Sequence, residues 1–321
     1  MQSALSATHF HNEEAAYAFI EARLWPNGPV CPKCGASTEH VGRLQGKTTR
    51  IGLYKCYACR EPFTVKVGTV MESSHVPLHM WLQAIYLLCS SKKGLSTRQL
   101  QRTFGCGLKT AWFLSHRVRE AMADLHMTDT GPLGGEGATV EIDETFVGGE
   151  AKNRHLGKRG LGRGRHDKAP VFALVERSGK VRSFHVPEVN GKNLAEILQK
   201  NVQPGTVIYS DEGHTTRYAA RGYKRGRVNH RTHEYVRGDV HTNTVEGTFS
   251  ILKRGLTGVY HNVSEEHLHR YLAEFDFRYS NRSALGVEDA ERAELALLGV
   301  RGKRLTYATP RSGKGARSLT P

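Results

Sequence analysis

The sequence lacks any long apolar run and contains little cysteine. No apolar stretch approaches the roughly 18 residues of a membrane-spanning helix, and the chain does not open on a basic segment followed by an apolar one. We therefore expect no membrane span, no secretory signal and a cytoplasmic location. Six cysteines among 321 residues are few. In a reducing cytosol a disulfide framework is disfavoured, so these residues are expected as thiols or metal ligands.

Acidic residues are also scarce relative to basic ones. The chain has 31 Asp and Glu against 46 Lys and Arg, a formal net charge of +15. Such an excess of positive charge neutralises phosphates and gives an affinity for nucleic acid that does not depend on base sequence. Solubility and attraction to an anionic membrane are the alternatives. The length suffices for two or three domains. The basic residues are concentrated in 150–168 and 301–321, which makes these segments candidates for contact with nucleic acid.

Four of the six cysteines form two Cys-x-x-Cys pairs. These are Cys31 with Cys34, and Cys56 with Cys59. Two such pairs supply the four thiolates of a tetrahedral structural Zn²⁺ site, whereas a thioredoxin-like redox site would explain only one pair. Short β-segments at 48–54 and 62–70 and a helix at 12–24 complete a predicted zinc ribbon in residues 1–72. The two remaining cysteines lie in apolar helical surroundings and are expected to be inert.

Residues 73–128 have the pattern of a helix-turn-helix. Three helices are predicted, at 78–89, 97–104 and 108–122, and the last two are joined by a short Gly-Cys-Gly turn. The last helix would then be a recognition helix in DNA. An ordinary helical hairpin is the alternative. Four of its residues are candidates for DNA contact: Lys109, His116, Arg117 and Arg119.

Three acidic residues and one lysine form the candidate catalytic set. Asp143 and Asp211 each end a short β-branched run, so each is predicted at a strand end. Glu246 opens a helical pattern 35 positions after Asp211, and Lys253 follows seven positions later on the same helix face. Carboxylate oxygens suit Mg²⁺, and two such ions about 4 Å apart can act on both oxygens of a phosphodiester. Mn²⁺ is a possible substitute.

This arrangement resembles the DDE transposases and integrases of the RNase H-like fold. The similarity is closest to bacterial insertion-sequence transposases of the ISXO-like group. Three segments carry it: Val-Glu-Ile-Asp-Glu-Thr-Phe-Val-Gly-Gly (140–149), His-Thr-Asn-Thr-Val-Glu-Gly-Thr-Phe-Ser-Ile-Leu-Lys-Arg (241–254) and Tyr-Leu-Ala-Glu-Phe-Asp-Phe-Arg-Tyr-Ser-Asn-Arg (271–282). The resemblance implies an enzyme that cuts double-stranded DNA at transposon ends and joins the 3′-OH ends to target DNA. It also implies a nucleoid-associated bacterial protein, dimeric or larger on DNA.

The third metal ligand has two candidates. Some members of the group carry Asn at this place, and this chain offers both Asn243 and Glu246. We favour Glu246 because a carboxylate binds Mg²⁺ better than an amide. Glu144 and Glu212 directly follow the two aspartates. Since neighbouring side chains on a strand point to opposite faces, at most one residue of each acidic pair can easily face the metals.

The fold class expected is α/β, with an RNase H-like mixed sheet in residues 138–285 after the zinc ribbon and the helix-turn-helix. Strands are predicted at 139–143, 169–177, 181–186 and 207–210, with helices at 191–202, 242–256 and 264–280. The basic glycine-rich loop 148–168 leaves the first catalytic strand and is expected to grip the DNA backbone through Lys158, Arg159, Arg163 and Arg165. Residues 286–321 are expected to be a disordered basic tail.

Two other functions fit the same residues. One is an RNase H-like nuclease that performs no strand transfer. The other is a zinc-ribbon and helix-turn-helix DNA-binding regulator whose catalytic domain has decayed. The presence of all three carboxylates counts against the regulator.

Overall fold

A computed structural model describes residues 3–123, 131–148, 168–177 and 179–306. Within these ranges, no helix is both long and apolar enough to span a bilayer. Three regions follow one another along the chain: a small cysteine-bearing sheet, a group of helices, and a larger mixed sheet with helices on both faces.

The first region contains helix α1 (Glu13–Leu24) and three short antiparallel strands, β1 (Val41–Arg43), β2 (Tyr54–Cys56) and β3 (Pro62–Phe63). The predicted strand at 48–54 is wrong except for its last residue, and the one at 62–70 shortens to two residues. The reason is a turn at Gly52, which has a φ of +65°. A Cβ there would lie 2.1 Å from the ring of Tyr17, so only glycine allows this approach.

The three predicted helices of the second region are present as α2 (Leu78–Ser90), α3 (Thr97–Phe104) and α4 (Leu108–Met122). The Ser96 hydroxyl accepts a hydrogen bond from the Gln99 N–H and caps α3. Gly105, at a φ of +59°, ends α3 in the left-handed conformation. The chain therefore turns into α4 as the sequence predicts.

The prediction of a disordered tail is wrong for residues 286–306. Helix α9 (Asp289–Leu298) buries Ala296 and Leu297 in the same core as α1, α2 and α4, and Val300 just after the helix joins them. Its apolar residues recur at helical spacing and so form one buried face. The chain beyond it is also paired, because the Gly302 N–H donates to the Gly68 carbonyl. The remainder of the predicted tail, 307–321, lies outside the described residues.

The third region is a five-stranded sheet in the order β6-β5-β4-β7-β8. Strands β4, β5 and β6 are antiparallel neighbours, whereas β4, β7 and β8 run parallel. This is the strand order of the RNase H-like fold, so the predicted fold class is confirmed. The strands are β4 (Thr139–Val147), β5 (Ala169–Glu176), β6 (Val181–His185), β7 (Val207–Asp211) and β8 (Lys224–Val228).

Helices cover both faces of this sheet. One face packs on α5 (Gly191–Asn201) and α6 (His214–Ala219), and the other on α7 (Asn243–Gly255) and α8 (Glu265–Ser280). A small hairpin, β9 (Val236–Arg237) and β10 (Val240–His241), precedes α7. The hairpin and β8 were not predicted. β8 was missed because its sequence, Lys-Arg-Gly-Arg-Val, is mostly polar. An edge strand tolerates such a sequence.

A buried ionic cluster joins α4 to α8. Arg119 donates to the Glu274 carboxylate at 2.6 Å, and both side chains are fully buried. Arg278 and the Tyr260 hydroxyl donate to the other oxygen of Glu274. Burial alone would raise the pKa of Glu274, but Arg278, Arg119 and the Tyr260 hydroxyl lower it to about 2. The carboxylate is therefore ionised at neutral pH, and the cluster fixes α4 against α8, which packs on the large sheet.

Candidate functional site

The two predicted catalytic aspartates lie on neighbouring parallel strands. β4 and β7 pair in parallel, with Glu141 opposite Tyr209. Extending this register by two positions brings Asp143 level with Asp211. Asp211 ends β7, at the edge where α/β sheets place ligand-binding residues. The predicted strand end at Asp143 is wrong, because β4 continues to Val147 through its pairing with β5. The strand pairing therefore brings together two aspartates that are far apart in sequence.

Asp143 faces α7, whereas Glu144 faces the opposite side of the sheet. Asp143 pairs with Ala173 of β5, which belongs to the core under α7 and α8. Glu144 pairs with Phe172, which belongs to the core under α5 and α6. Because side chains alternate between faces along a strand, only Asp143 of this pair is placed to meet a residue of α7.

Glu246 lies in the first turn of α7, on the face of the sheet that Asp143 occupies. Burial, the Glu144 carboxylate and the charges of Asp211 and Glu246 together raise the pKa of Asp143 to about 8. The Glu144 N–H donates a hydrogen bond to Asp143 Oδ1 at 2.8 Å, and this contact lowers the pKa of Asp143. The charges of Asp211 and Glu246 thus reach Asp143, as expected for carboxylates on the same face of the sheet.

Asp211 is held by its own loop. Its Oδ1 accepts hydrogen bonds from the Gly213 N–H at 3.0 Å and from the Thr216 hydroxyl at 3.1 Å. The adjacent Glu212 is exposed and lies 3.8 Å from Arg227. In this acidic pair also, the aspartate is the member that is held in place next to the site.

The donor set of this site suits a hard cation, since all three groups offer carboxylate oxygens. Burial and the neighbouring carboxylates raise the pKa of Asp143, and bound cations would offset the cost of keeping this carboxylate ionised. The oxygens of the three groups do not all lie within 4.8 Å of one another, a distance that only the cysteines meet among the described residues. Carboxylates that hold two ions about 4 Å apart need not approach so closely.

Asn243 and Glu246 are three residues apart in the first turn of α7, but only Asn243 lines a cavity on that side of the helix. Asn243 borders a cavity of about 690 Å³ that is also lined by Lys92, Lys93 and Arg254. Neither aspartate of the sheet lines this cavity. Lys253 instead lies near the end of β4, in a groove of about 490 Å³ with Val147, Gly148, Lys168 and His261 among its lining residues. Glu246 therefore stays the predicted third ligand, since Asn243 borders a cavity that neither aspartate lines.

The four predicted zinc ligands converge on one point. Cys31 Sγ and Cys59 Sγ are 3.7 Å apart, and Cys34 Sγ and Cys56 Sγ are 3.6 Å apart. All four sulfurs lie within 4.8 Å of one another. Tetrahedral zinc with Zn–S bonds of about 2.3 Å requires sulfur–sulfur distances of about 3.8 Å. The thiols therefore fit a single Zn²⁺ ion.

Comparison with known proteins gives three further findings. The ISXO2-like transposase domain matches residues 132–280, and the transposase zinc-ribbon domain matches residues 11–61. A protein described as an uncharacterized protein in transposable element ISH50, from Halobacterium salinarum, is 30% identical over 281 residues, which is 84% of this chain and 91% of that protein. The chain belongs to the ISXO2-like transposase family.

A second relative of the transposase covers a shorter stretch. An uncharacterized transposase-like protein of Haemophilus influenzae is 26% identical over 103 residues, which is 32% of this chain and 82% of that protein. The family identified from the sequence motifs is thus confirmed. The matched zinc-ribbon domain and the convergent sulfurs together support a structural zinc in the transposase.

Two of the predicted DNA contacts on α4 are wrong. His116 and Arg119 are fully buried, because the face of α4 that carries them packs on α8. Arg119 is paired with Glu274. The His116 ring packs against Trp112 and Tyr271, and burial lowers its pKa to about 2. Neither side chain of the transposase can reach DNA in this arrangement.

The other predicted contacts differ in their placement. Lys109 is exposed at the beginning of α4. Arg117 is half-buried and donates to the carbonyls of Leu305 and Glu72 at 3.2 and 3.1 Å. The four basic residues of the glycine-rich loop lie outside the described residues: Lys158, Arg159, Arg163 and Arg165.

Sequence reasoning missed two residues beside the catalytic carboxylates. His230 Nε2 lies 3.4 Å from Glu246 Oε1 and 3.2 Å from the Thr242 hydroxyl. Glu141 is fully buried two residues before Asp143. A signal for Glu141 did exist, because an acidic residue inside an otherwise apolar strand must find a buried partner.

Proposed function

We propose that this transposase cuts phosphodiester bonds at the ends of an insertion sequence and joins the 3′-OH ends to target DNA. Two Mg²⁺ ions would be held by Asp143, Asp211 and Glu246. The observation that carries this proposal is the placement of the three carboxylates on the α7 face of an RNase H-like sheet, where burial and acidic neighbours raise the pKa of Asp143.

The residues around the carboxylates have separate tasks in this proposal. Bound Mg²⁺ ions supply an activated nucleophile and stabilise the charge that develops on the phosphate. Asp211 is oriented by Gly213 and Thr216, so its second oxygen, Oδ2, is the one directed to a cation. Lys253, exposed in the groove beside the end of β4, would contact a phosphate near the cut.

The DNA-contacting surface is proposed at the α3–α4 turn. Recognition helices present mainly their N-terminal residues to base edges. Lys109 is exposed there, and Arg98 and Arg102 of α3 are exposed around an adjoining groove of about 450 Å³. These three cations point away from the core because the opposite sides of both helices pack inward through Leu100 and Ala111.

Replacing Arg98, Arg102 and Lys109 by Ala should weaken binding to the DNA end by about tenfold or more. Each lost phosphate contact should also reduce the slope of log affinity against log salt by about one. Fluorescence anisotropy with labelled end DNA at several salt concentrations measures both quantities. The matched control is Lys200→Ala, an exposed lysine on α5 behind the sheet. Equal effects of the control and the triple variant would place the DNA surface elsewhere.

The proposed reaction is tested with the zinc-loaded full chain, labelled end DNA and a supercoiled target plasmid. With Mg²⁺, we expect cleaved ends and products in which the labelled 3′ end is joined to the plasmid, and neither in EDTA. Since two ends must be joined, the active species is proposed to be a homodimer or larger. Cleavage without joined product would indicate a nuclease, and end-specific binding without cleavage a regulator.

A further inference from the structure

We propose that Glu141 is a positioning residue that sets the place of Glu246 relative to Asp143. This inference rests on the proposed function, because it assigns Glu246 to the metal site. The feature that carries it is a hydrogen-bonded link between β4 and the beginning of α7. Glu141 and Val245, the two ends of this link, are 104 positions apart in sequence.

The Glu141 carboxylate caps the helix that carries Glu246. Its Oε2 accepts hydrogen bonds from the backbone N–H groups of Thr244 at 2.8 Å and Val245 at 3.1 Å. Its Oε1 accepts from the Thr244 hydroxyl at 2.8 Å. The first N–H groups of a helix have no partner within the helix. The local N-cap residue, Thr242, makes no side-chain cap here, so the cap is provided by the strand.

Arg177 holds the capping carboxylate in place. Its Nε donates to Glu141 Oε1 at 2.9 Å, and its other nitrogens donate to the carbonyls of Asp239 at 2.8 Å and His241 at 3.3 Å. Its guanidinium stacks on the ring of Tyr209 at 4.7 Å. Both oxygens of this buried carboxylate accept hydrogen bonds from several donors, which holds the carboxylate in one geometry. The cap is therefore tied to β5, β7 and the β9–β10 hairpin together.

The link places two metal ligands at its two ends. Asp143 follows Glu141 by two residues on the same face of β4. Glu246 directly follows Val245, whose N–H binds Glu141. A displacement of α7 along its axis would thus require breaking the cap before the distance between the two ligands could change. Outer residues that orient ligands in this way typically contribute 10- to 100-fold in metal affinity or activity.

The test is Glu141→Gln in the zinc-loaded full chain without DNA. Glutamine keeps the size of the side chain, but its NH₂ group cannot accept from the helix N–H groups or from Arg177. Mn²⁺ binding followed by electron paramagnetic resonance should weaken by about tenfold or more. Amide hydrogen exchange at Thr244 and Val245 should accelerate. The Mg²⁺ concentration for half-maximal cleavage should rise by a similar factor.

The matched control is Glu274→Gln, which also removes a fully buried, ion-paired carboxylate. It should lower the melting temperature but leave Mn²⁺ affinity unchanged, because its cluster lies between α4 and α8. If Glu141→Gln fails to fold, Arg177→Lys replaces it as the test variant. This change keeps the positive charge but removes the guanidinium, which donates to Glu141, Asp239 and His241 at the same time. It should weaken Mn²⁺ binding several-fold.

Two results separate the inference from the function on which it rests. If Asp143→Asn weakens Mn²⁺ binding and the folded Glu141 or Arg177 variant binds Mn²⁺ like the wild type, Glu141 has no positioning role. If Asp143→Asn itself binds Mn²⁺ like the wild type, the proposed metal site is overturned. In that case unchanged amide exchange at Thr244 in the Glu141 variant would also overturn the cap.

Discussion

Exchanging Asp143 or Asp211 for Asn, or Glu246 for Gln, is expected to lower Mg²⁺-dependent cleavage of end DNA about a thousandfold or more. Each change removes a negative ligand from a site that would hold two dications. Metal ions contribute several kcal/mol of charge stabilisation in such reactions, and about 1.4 kcal/mol corresponds to tenfold in rate. Single-turnover cleavage of labelled DNA measures the loss, and thermal melts verify that each variant is folded.

Two variants serve as controls for this result. Glu212→Gln changes the exposed carboxylate beside Asp211 and should cut at nearly the wild-type rate. Asn243→Ala should lower cleavage less than Glu246→Gln, because Asn243 borders a cavity that neither aspartate lines and its amide is a weaker Mg²⁺ ligand. Normal cutting by Glu246→Gln together with an inactive Asn243→Ala would make Asn243 the third ligand.

Removing the zinc should unfold the ribbon. The small core of the ribbon buries Tyr54 and Phe63 together with two of the cysteines. So little apolar area cannot stabilise these residues without the metal. Structural zinc binding contributes about 10–16 kcal/mol in zinc-finger peptides. We expect the Cys31→Ser, Cys56→Ser double variant to lose its bound zinc and to show early melting of residues 31–63, whereas α1 keeps its packing in the helical core. Elemental analysis and hydrogen exchange measure the two effects.

Cys106→Ser is the control for zinc content. Its sulfur is not part of the cluster of four, so this variant should retain about one zinc per chain. Zinc retained in full by the double variant would mean that these cysteines are not the ligands.

The sequence predicts those parts of the fold whose signals are local. The helices α2 to α4 follow from apolar spacing, Ser96 and Gly105. β8 and α9 were missed for different reasons. β8 is an edge strand made of polar residues, and α9 is recognisable as structured only when the core formed by α2 is known to receive Ala296 and Leu297.

Local and tertiary signals also separate the functional residues that were predicted from those that were assigned wrongly or missed. Asp143, Asp211 and Glu246 were proposed from local motifs, and the structure places Asp211 at the end of β7 and Glu246 in the first turn of α7, but Asp143 inside β4. Arg119 was assigned to DNA because its partner Glu274 is 155 positions away and cannot be inferred from helix periodicity. Glu141 was missed for the same reason. Buried charged pairs are matched by tertiary structure, and a basic residue on a helix appears equally suited to DNA until that structure is known.

The packing of α9 has a consequence for the order in which the protein matures during synthesis. The ribosome releases the chain from its N-terminus, and domains commonly fold as they emerge. The strands of the large sheet, 139–228, are synthesised before α9. The core under α1, α2 and α4, however, needs Ala296, Leu297 and Val300. The nascent chain can therefore complete its large sheet while α1, α2 and α4 still lack part of their core. The helices proposed to bind DNA would thus finish packing after the sheet, although they are translated before it.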